Sequence, residues 1–419
     1  MRKRRRIVIT GMGVVSCFGM DVDKFYQDLL SGKSGIRPIT DFPCEHYPVR
    51  FAGSVQDFEV GDYMEKKQAR RVDPFIRYIM VAGKRAMENA DITDETMHKI
   101  DRSRCGVLVG SGMGGMKTFF EISRLIVRNG FRHLSPFFVP YIIPNMGGAM
   151  LAIDNGFSGV NYSISTACAT ANYCIISAAQ HIERGDADLV ICGGAEAPIN
   201  AVGIGGFYGM KALSERHDAC EKASRPWDKS RDGFVLGEGA GLLILEELEH
   251  AQKREAPILG EYLGGATSCD AYHLTRPRAE GVEVAKCIEA ALKDGDVDRE
   301  EVNYINAHAT STVVGDLCEL MGYRQVFGEH SKHIKINATK SMTGHCLGAA
   351  AGIEAIASVK AMNTSMLHPT INVEDPEEEL QYFDPVLDKA QRHEISVAIS
   401  FSLGFGGHNS AVLFTPYEE

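Results

Sequence analysis

Strand-like runs of β-branched and apolar residues alternate with helix-like runs along the whole of this chain. Gly106-Val107-Leu108-Val109-Gly110, Ala187-Asp188-Leu189-Val190-Ile191-Cys192-Gly193 and Val302-Asn303-Tyr304-Ile305-Asn306 are three of the strand-like runs. A chain built this way buries both kinds of element by layering helices on sheets, so the alternation implies an α/β fold. There is also an internal echo. Ala86-Met87-Glu88-Asn89-Ala90-Asp91-Ile92 precedes a strand and the loop Ser111-Gly112-Met113-Gly114-Gly115. Ala291-Leu292-Lys293-Asp294-Gly295-Asp296-Val297 precedes a strand and the loop Ala307-His308-Ala309-Thr310-Ser311-Thr312. Later in each half a short loop opens an alanine-rich helix. One helix starts at Cys168, and the other follows Thr343-Gly344-His345. The matching order predicts a duplicated unit, with halves 1–255 and 256–419 meeting near Arg254-Glu255-Ala256-Pro257.

The chain has 419 residues, long enough for two core-forming units or one large duplicated one. Many of its 43 glycines sit in short loops after apolar runs, which suggests close backbone approach at a site. Eleven cysteines without CxxC pairs argue against a disulfide framework and a structural zinc site. The thiols are therefore expected to be free, in a reducing compartment. A net charge of −11 disfavours nucleic acid as a partner. No apolar run approaches membrane-spanning length, and no membrane association is expected. The basic start Met1-Arg2-Lys3-Arg4-Arg5-Arg6 leads into Ile7-Val8-Ile9-Thr10-Gly11, which resembles a strand entering a turn and not a signal peptide. The expected location is the cytoplasm, or the plastid stroma for a mature organellar chain.

Cys168 sits in Ser165-Thr166-Ala167-Cys168-Ala169-Thr170-Ala171-Asn172, small residues opening a helix-like segment from Tyr173 to Arg184. Val160, Tyr162 and Ile164 suggest a strand before it. A cysteine on the first turn of a helix feels the positive end of the macrodipole, which favours thiolate. Small neighbours let a carbonyl approach both the sulfur and backbone N–H groups, an arrangement suited to thioester chemistry. Two of the fourteen histidines, His308 and His345, lie among small residues at expected strand ends. With Cys168 they form a Cys-His-His set. Lys340 lies close to His345, and Glu354, nine residues after that histidine, is placed to pair with the lysine. No HExxH or i, i+4 histidine pair is present, so no metal or cofactor is expected.

These motifs resemble those of one family in order, from Ile7 to Phe414. Thr166-Ala167-Cys168, Asn306-Ala307-His308-Ala309-Thr310-Ser311-Thr312, Lys340-Ser341-Met342-Thr343-Gly344-His345 and Gly404-Phe405-Gly406-Gly407 are similar to the elongating β-ketoacyl-[acyl-carrier-protein] synthases, the condensing enzymes of type II fatty-acid synthesis. Ser224-Arg225-Pro226-Trp227-Asp228, Arg231-Asp232-Gly233-Phe234-Val235-Leu236-Gly237-Glu238-Gly239 and Asp270-Ala271-Tyr272-His273 extend the match. Asn161-Tyr162-Ser163-Ile164-Ser165 and Gly407-His408-Asn409 resemble the plastid branch.

The resemblance implies a thiolase-like fold, a duplicated five-layer αβαβα arrangement, in a homodimer. It implies that Cys168 carries the acyl chain and that the backbone N–H groups of Cys168 and Phe405 form an oxyanion hole. His308 and His345 would stabilise the enolate left when malonyl thioester loses carbon dioxide, with Lys340 and Glu354 as a supporting pair. Thr310 and Thr312 would contact the phosphopantetheine arm. Phe405 would gate the acyl pocket and Met113 would limit its depth. Leu403 stands where the family commonly has Phe, which bears on the gate and not on the chemistry. The partner implied is acyl carrier protein, in acyl and malonyl forms. Carrier proteins are acidic, so docking needs local basic residues, for which Lys67, Arg70, Arg71 and Lys211 are the candidates. Thiolases and initiating synthases use Cys-His-Cys or Cys-His-Asn sets, which His345 opposes. A chain-length-factor-like subunit lacks the nucleophile, which Cys168 opposes. A cysteine hydrolase would need an orienting acid or amide. A polyketide role shares the same motifs and stays open.

Overall fold

The structure is a computed structural model and describes residues 4–418. Ten strands make one hydrogen-bonded sheet. They are β1 (Ile7–Val15), β2 (Cys105–Gly110), β3 (Leu189–Glu196), β4 (Gly239–Glu247), β5 (Gly260–Cys269), β6 (Val302–Asn306), β7 (Lys335–Asn337), β8 (Asp384–Pro385), β9 (Val397–Gly404) and β10 (His408–Thr415). Their spatial order is β8-β7-β6-β9-β10-β5-β1-β4-β3-β2. The pairing pattern occurs twice. β1 is antiparallel to β4, β4 antiparallel to β3, and β3 parallel to β2. In the same way β5 is antiparallel to β10, β10 antiparallel to β9, and β9 parallel to β6. The two sets meet where Ile7–Ile9 of β1 pairs with Gly260–Tyr262 of β5.

Seven helices matter to the site: α1 (Pro74–Asn89), α2 (Met116–Asn129), α3 (Met146–Asn155), α4 (Thr170–Arg184), α5 (Val282–Gly295), α6 (Val313–Phe327) and α7 (Ala350–Thr364). α1 packs outside the first set of strands and α5 outside the second. α4 and α7 touch strands of both sets and each other. The result is five layers, helix, first strand set, helix pair, second strand set, helix, which is the thiolase-like α/β fold. Covered on both sides, α7 is apolar nearly all round, and twelve of its residues are buried. Its small residues allow close approach. A Cβ on Gly352 would come within 2.2 Å of Gly241 O on β4, and one on Gly241 within 2.2 Å of Ile353 N.

Three sequence expectations change. Gly11 makes no turn: β1 runs on to Val15 with a register shift between Ile9 and Gly11. Gly11 and Gly13 are needed for packing instead, since a Cβ would lie 2.2 Å from Ala86 O and 1.9 Å from Ala82 O of α1. The segment before Cys168 is extended but makes a single bridge, Val107 to Asn161, and is no strand of the sheet. The helix after Cys168 starts at Thr170 and not at Tyr173. Of the basic start, Met1, Arg2 and Lys3 lie outside the described residues. Arg4 pairs with Glu183, Arg5 with Asp188 and Arg6 with Glu261. All eleven cysteines are free thiols. Among the described residues no helix is long and apolar enough to cross a membrane, and no group of three His, Cys, Asp or Glu side chains could hold a metal ion.

The chain leaves β4 through a buried ionic knot. Glu246 accepts two bonds from Arg254, at 2.7 Å each, and others from His250 and Thr10. These partners hold its carboxyl below the ordinary carboxylate range against the opposing effect of burial. Breaking a buried pair on one side leaves an uncompensated charge, at a cost of roughly 3–5 kcal/mol. Glu246→Ala is therefore expected to lower unfolding free energy by that order in a denaturant titration. Because the folded carboxyl is more acidic than the unfolded one, its contribution is present above the unfolded pKa and lost as pH falls through the folded value. A mutant as stable as wild type at pH 7 would contradict this.

Candidate active site

Cys168 lies in a tight turn, Ala167–Ala169, that runs into α4. Ala167 has φ +49°, a conformation a residue with a Cβ adopts only under local constraint. Thr170 supplies the constraint: its hydroxyl accepts from Thr166 N at 2.9 Å and donates to Ala167 O at 2.7 Å. The end of β9 lies against this turn. A Cβ on Gly404 would meet Thr166 O at 2.6 Å, so only glycine lets the next residue, Phe405, come in close. The backbone N–H groups of Phe405 and of Cys168 itself favour the ionised sulfur.

His308 follows β6, in the loop predicted for it. Its backbone is held by Glu319 of α6, which accepts from His308 N and Ala309 N at 2.6 Å each. Lys340 Nζ lies 3.2 Å from His308 Nδ1, and Ser402 Oγ lies 3.1 Å from the same atom. An ammonium can only donate, so Nδ1 is the acceptor and the ring proton sits on Nε2. Lys340 is buried and also pairs with Glu354. His345 is not at a strand end, as the sequence suggested. It follows the short helix Lys340–Thr343 and Gly344, whose φ of +69° suits glycine. His345 N donates to Val235 O at 2.7 Å, and its Nε2 lies 2.9 Å from Cys168 Sγ. The two imidazoles meet edge to face, with centroids 5.3 Å apart. The three residues predicted to act together are in fact together.

Burial, helped by Lys340, pushes both histidines well below the ordinary imidazole value, so both are neutral at pH 7. The thiol departs from expectation. Its position at the start of α4 is as read, but burial pushes Cys168 up to about 12, against the pull of Lys340 and the two N–H groups. The resting site therefore holds a thiol beside a neutral imidazole and not a standing thiolate.

A cavity of about 320 Å³ opens onto these groups. Cys168, His308, His345, Thr310, Thr312 and Phe405 line it. Leu403 and the exposed Lys211 line it too. Glu354 does not: it stands with the buried amine of Lys340, which draws it away from the wall. Met113 is also off the wall, packed on the apolar cluster behind Cys168 with Ile199, Ile204 and Leu347. Lys67, Arg70 and Arg71 are exposed on and just after the short helix Lys66–Ala69. None of them lines this cavity, and Arg71 borders a separate one with Phe137 and Phe138. Two carboxylates escaped the sequence reading. Besides Glu319, Asp316 of α6 accepts from Thr312 N at 3.2 Å and Trp227 N at 3.0 Å. Burial pushes Asp316 up to about 6 and Glu319 up to about 7. Their signal was present: acidic residues three apart amid apolar and small neighbours in the first half of α6.

Residues 4–251 match the family described as beta-ketoacyl synthase, N-terminal domain, and residues 259–374 its C-terminal domain. The chain is 56% identical over 415 residues to 3-oxoacyl-[acyl-carrier-protein] synthase I, chloroplastic, of Arabidopsis thaliana, covering 99% of this chain and 87% of the relative. It is 45% identical over 420 residues to 3-oxoacyl-[acyl-carrier-protein] synthase 2 of Staphylococcus aureus (strain N315), covering the whole of both. Among solved structures it resembles a type II polyketide ketosynthase in complex with its acyl-carrier protein, with TM-score 0.89 and 31% identity over 99% of this chain and 100% of the other. A beta-ketoacyl synthase from Burkholderia phymatum STM815 superposes with TM-score 0.90 at 28% identity, over the same shares of the two chains. On these matches, and with its cysteine and two histidines converging on one cavity, the chain belongs to the beta-ketoacyl synthase family.

Proposed function

We propose that this protein catalyses the decarboxylative condensation of malonyl-[acyl-carrier-protein] with an acyl group held on Cys168, giving β-ketoacyl-[acyl-carrier-protein] in fatty-acid elongation. One observation carries the reading: Cys168 Sγ lies 2.9 Å from a neutral imidazole, with a second neutral imidazole edge-on to the first. In acyl transfer His345 Nε2 takes the thiol proton as sulfur attacks the acyl thioester. The N–H groups of Cys168 and Phe405 hold the oxyanion. Collapse expels the carrier thiolate, which receives the proton from His345. Malonyl thioester then loses carbon dioxide, and the electron pair moves onto its thioester oxygen. His308 donates to that oxygen from Nε2, the nitrogen that Lys340 leaves protonated, and His345 becomes the second donor once its ring proton moves from Nδ1, which has no hydrogen-bond partner, to Nε2. The enolate attacks the acyl-Cys168 carbonyl, the same N–H pair holds the new oxyanion, and the Cys168 sulfur leaves as a thiolate that takes up one proton from water to restore the resting thiol. Thr310 and Thr312 contact the phosphopantetheine arm on the cavity wall. A polyketide role is favoured by the structural neighbour bound to a polyketide carrier protein. Fatty-acid elongation is favoured by the higher identity to 3-oxoacyl synthases, 56% against 31%.

Three wider features belong to the same reading. The chain divides near residue 255, which the twice-used strand pattern supports. Acidic carrier protein docks on the exposed Lys211 at the cavity and on the exposed Lys67, Arg70 and Arg71, an attraction that salt would screen. The protein is a homodimer, in which a second copy covers the apolar face around α2. No residue of that helix is buried, and Phe119, Phe131, Phe137 and Val139 are each about half exposed or more. The compartment supposed is the cytoplasm or the plastid stroma, and the chloroplastic Arabidopsis relative favours the stroma.

Cys168→Ala is expected to abolish condensation. Cys168→Gln, whose side chain fills the place of the acyl thioester, is expected to retain measurable malonyl decarboxylation. Condensation by the alanine variant would remove Cys168 as nucleophile. Alkylation of Cys168, followed by peptide mass, is expected to speed up steadily with pH as the thiolate fraction grows. Lys340→Met takes away a charge that favours thiolate, so alkylation slows at each pH. A rate already maximal at pH 6.5 would mean a standing thiolate. Phe119→Asp is expected to halve the mass in light scattering, and an unaltered dimer would move the interface elsewhere.

A further inference from the structure

Glu196 ends β3 with no exposure to solvent, and it does not line the cavity at Cys168. Four donors converge on it. Ser111 Oγ and Met113 N donate to Oε1 at 2.7 and 3.0 Å, and Gly112 N and Gly348 N donate to Oε2 at 2.8 and 3.1 Å. Three of the four belong to the loop that carries Met113. The fourth belongs to the turn Leu347–Ala349, two residues beyond His345. Both glycines are required there: a Cβ would lie 2.9 Å from Oε2 at Gly112 and 2.6 Å at Gly348. Ser111 Oγ also accepts from Gly114 N at 2.9 Å, which closes the loop on itself. On its far side the loop is held once more, by Gly115 N donating to Ile142 O at 3.0 Å.

We propose that Glu196 is a positioning residue that sets acyl chain length, because its carboxylate fastens the Met113 loop to the turn after His345. This rests on the reading that Cys168 carries an acyl chain. Such a chain leaves the sulfur toward the apolar cluster behind it, where Met113 packs with Ile199, Ile204 and Leu347. Met113 yields furthest to a longer chain when its loop moves as well as its side chain, and the loop moves by giving up bonds to a buried carboxylate. Those are the stronger class of hydrogen bond. Glu196 thus makes the floor of the acyl site stiff without touching the acyl group.

The test uses the full-length protein with acyl carriers of graded length. The rate of acyl-Cys168 formation by intact mass reports the clamp, and condensed product reports the enzyme reading separately. Glu196→Gln keeps the volume but turns one acceptor into a donor that faces N–H groups. The ratio of long-chain to short-chain acylation is expected to rise roughly tenfold, the factor for one lost charge-assisted hydrogen bond. Ser111→Ala keeps the carboxylate and is expected to shift the ratio the same way by less. A folded Glu196→Gln protein with the wild-type ratio, or one slowed equally on every length, overturns the proposal. Should that variant not fold, a wild-type ratio in Ser111→Ala overturns it instead.

Discussion

A buried ammonium organises the site. Lys340 lies within reach of His308 Nδ1, is paired with Glu354, and receives Ser224 Oγ on its own carbonyl at 2.7 Å. A charge this deep is costly to desolvate, and a buried ion pair is seldom the most stable way to fill a core. Here it performs work an apolar residue cannot. It fixes the tautomer of one imidazole, adds to the burial that holds both imidazoles neutral, and opposes the burial that would keep the Cys168 proton in place. Glu354 keeps that ammonium from standing as an unpaired charge in the core.

The repeated architecture brings these groups to one point. α4 and α7 are the inner helices of the two sets of strands, and each begins from a tight turn. Ala167 and Leu347, at φ +49° and +48°, open those turns in the same strained conformation. One turn bears the cysteine, and the other follows the second histidine. The turns touch each other, so nucleophile and donor meet at the seam between the two sets.

Much of this could be read from the chain, for reasons that residues make plain. Cys168 and His308 stand in runs of small residues next to strong strand or helix signals, and local pattern locates such groups well. His345 was found, but its place after a helical turn was not, because Gly344 and Lys340–Thr343 leave a weak local signature. The helix start that favours thiolate at Cys168 is visible in sequence, and the depth of burial that opposes it is not. Glu196 was invisible for a different reason: Ser111 lies 85 residues away in the chain, and a bond of that span leaves no periodicity. Met113 and Glu354 both lie off the cavity wall, which is a matter of packing that the sequence does not show.

The sandwiching of α4 and α7 between two sets of strands has a bearing on endurance. Segments enclosed on both flanks exchange their amide protons through the largest opening motions of a molecule, whereas rim segments open locally. Cys168 and His345 stand beside the starts of those enclosed helices, while Tyr272 and Leu274 lie on an exposed rim beside the glycines that follow Phe405. Heat or denaturant would therefore loosen the entrance long before the sulfur and its imidazole part company. A preparation could admit substrate poorly and still keep its chemistry whole.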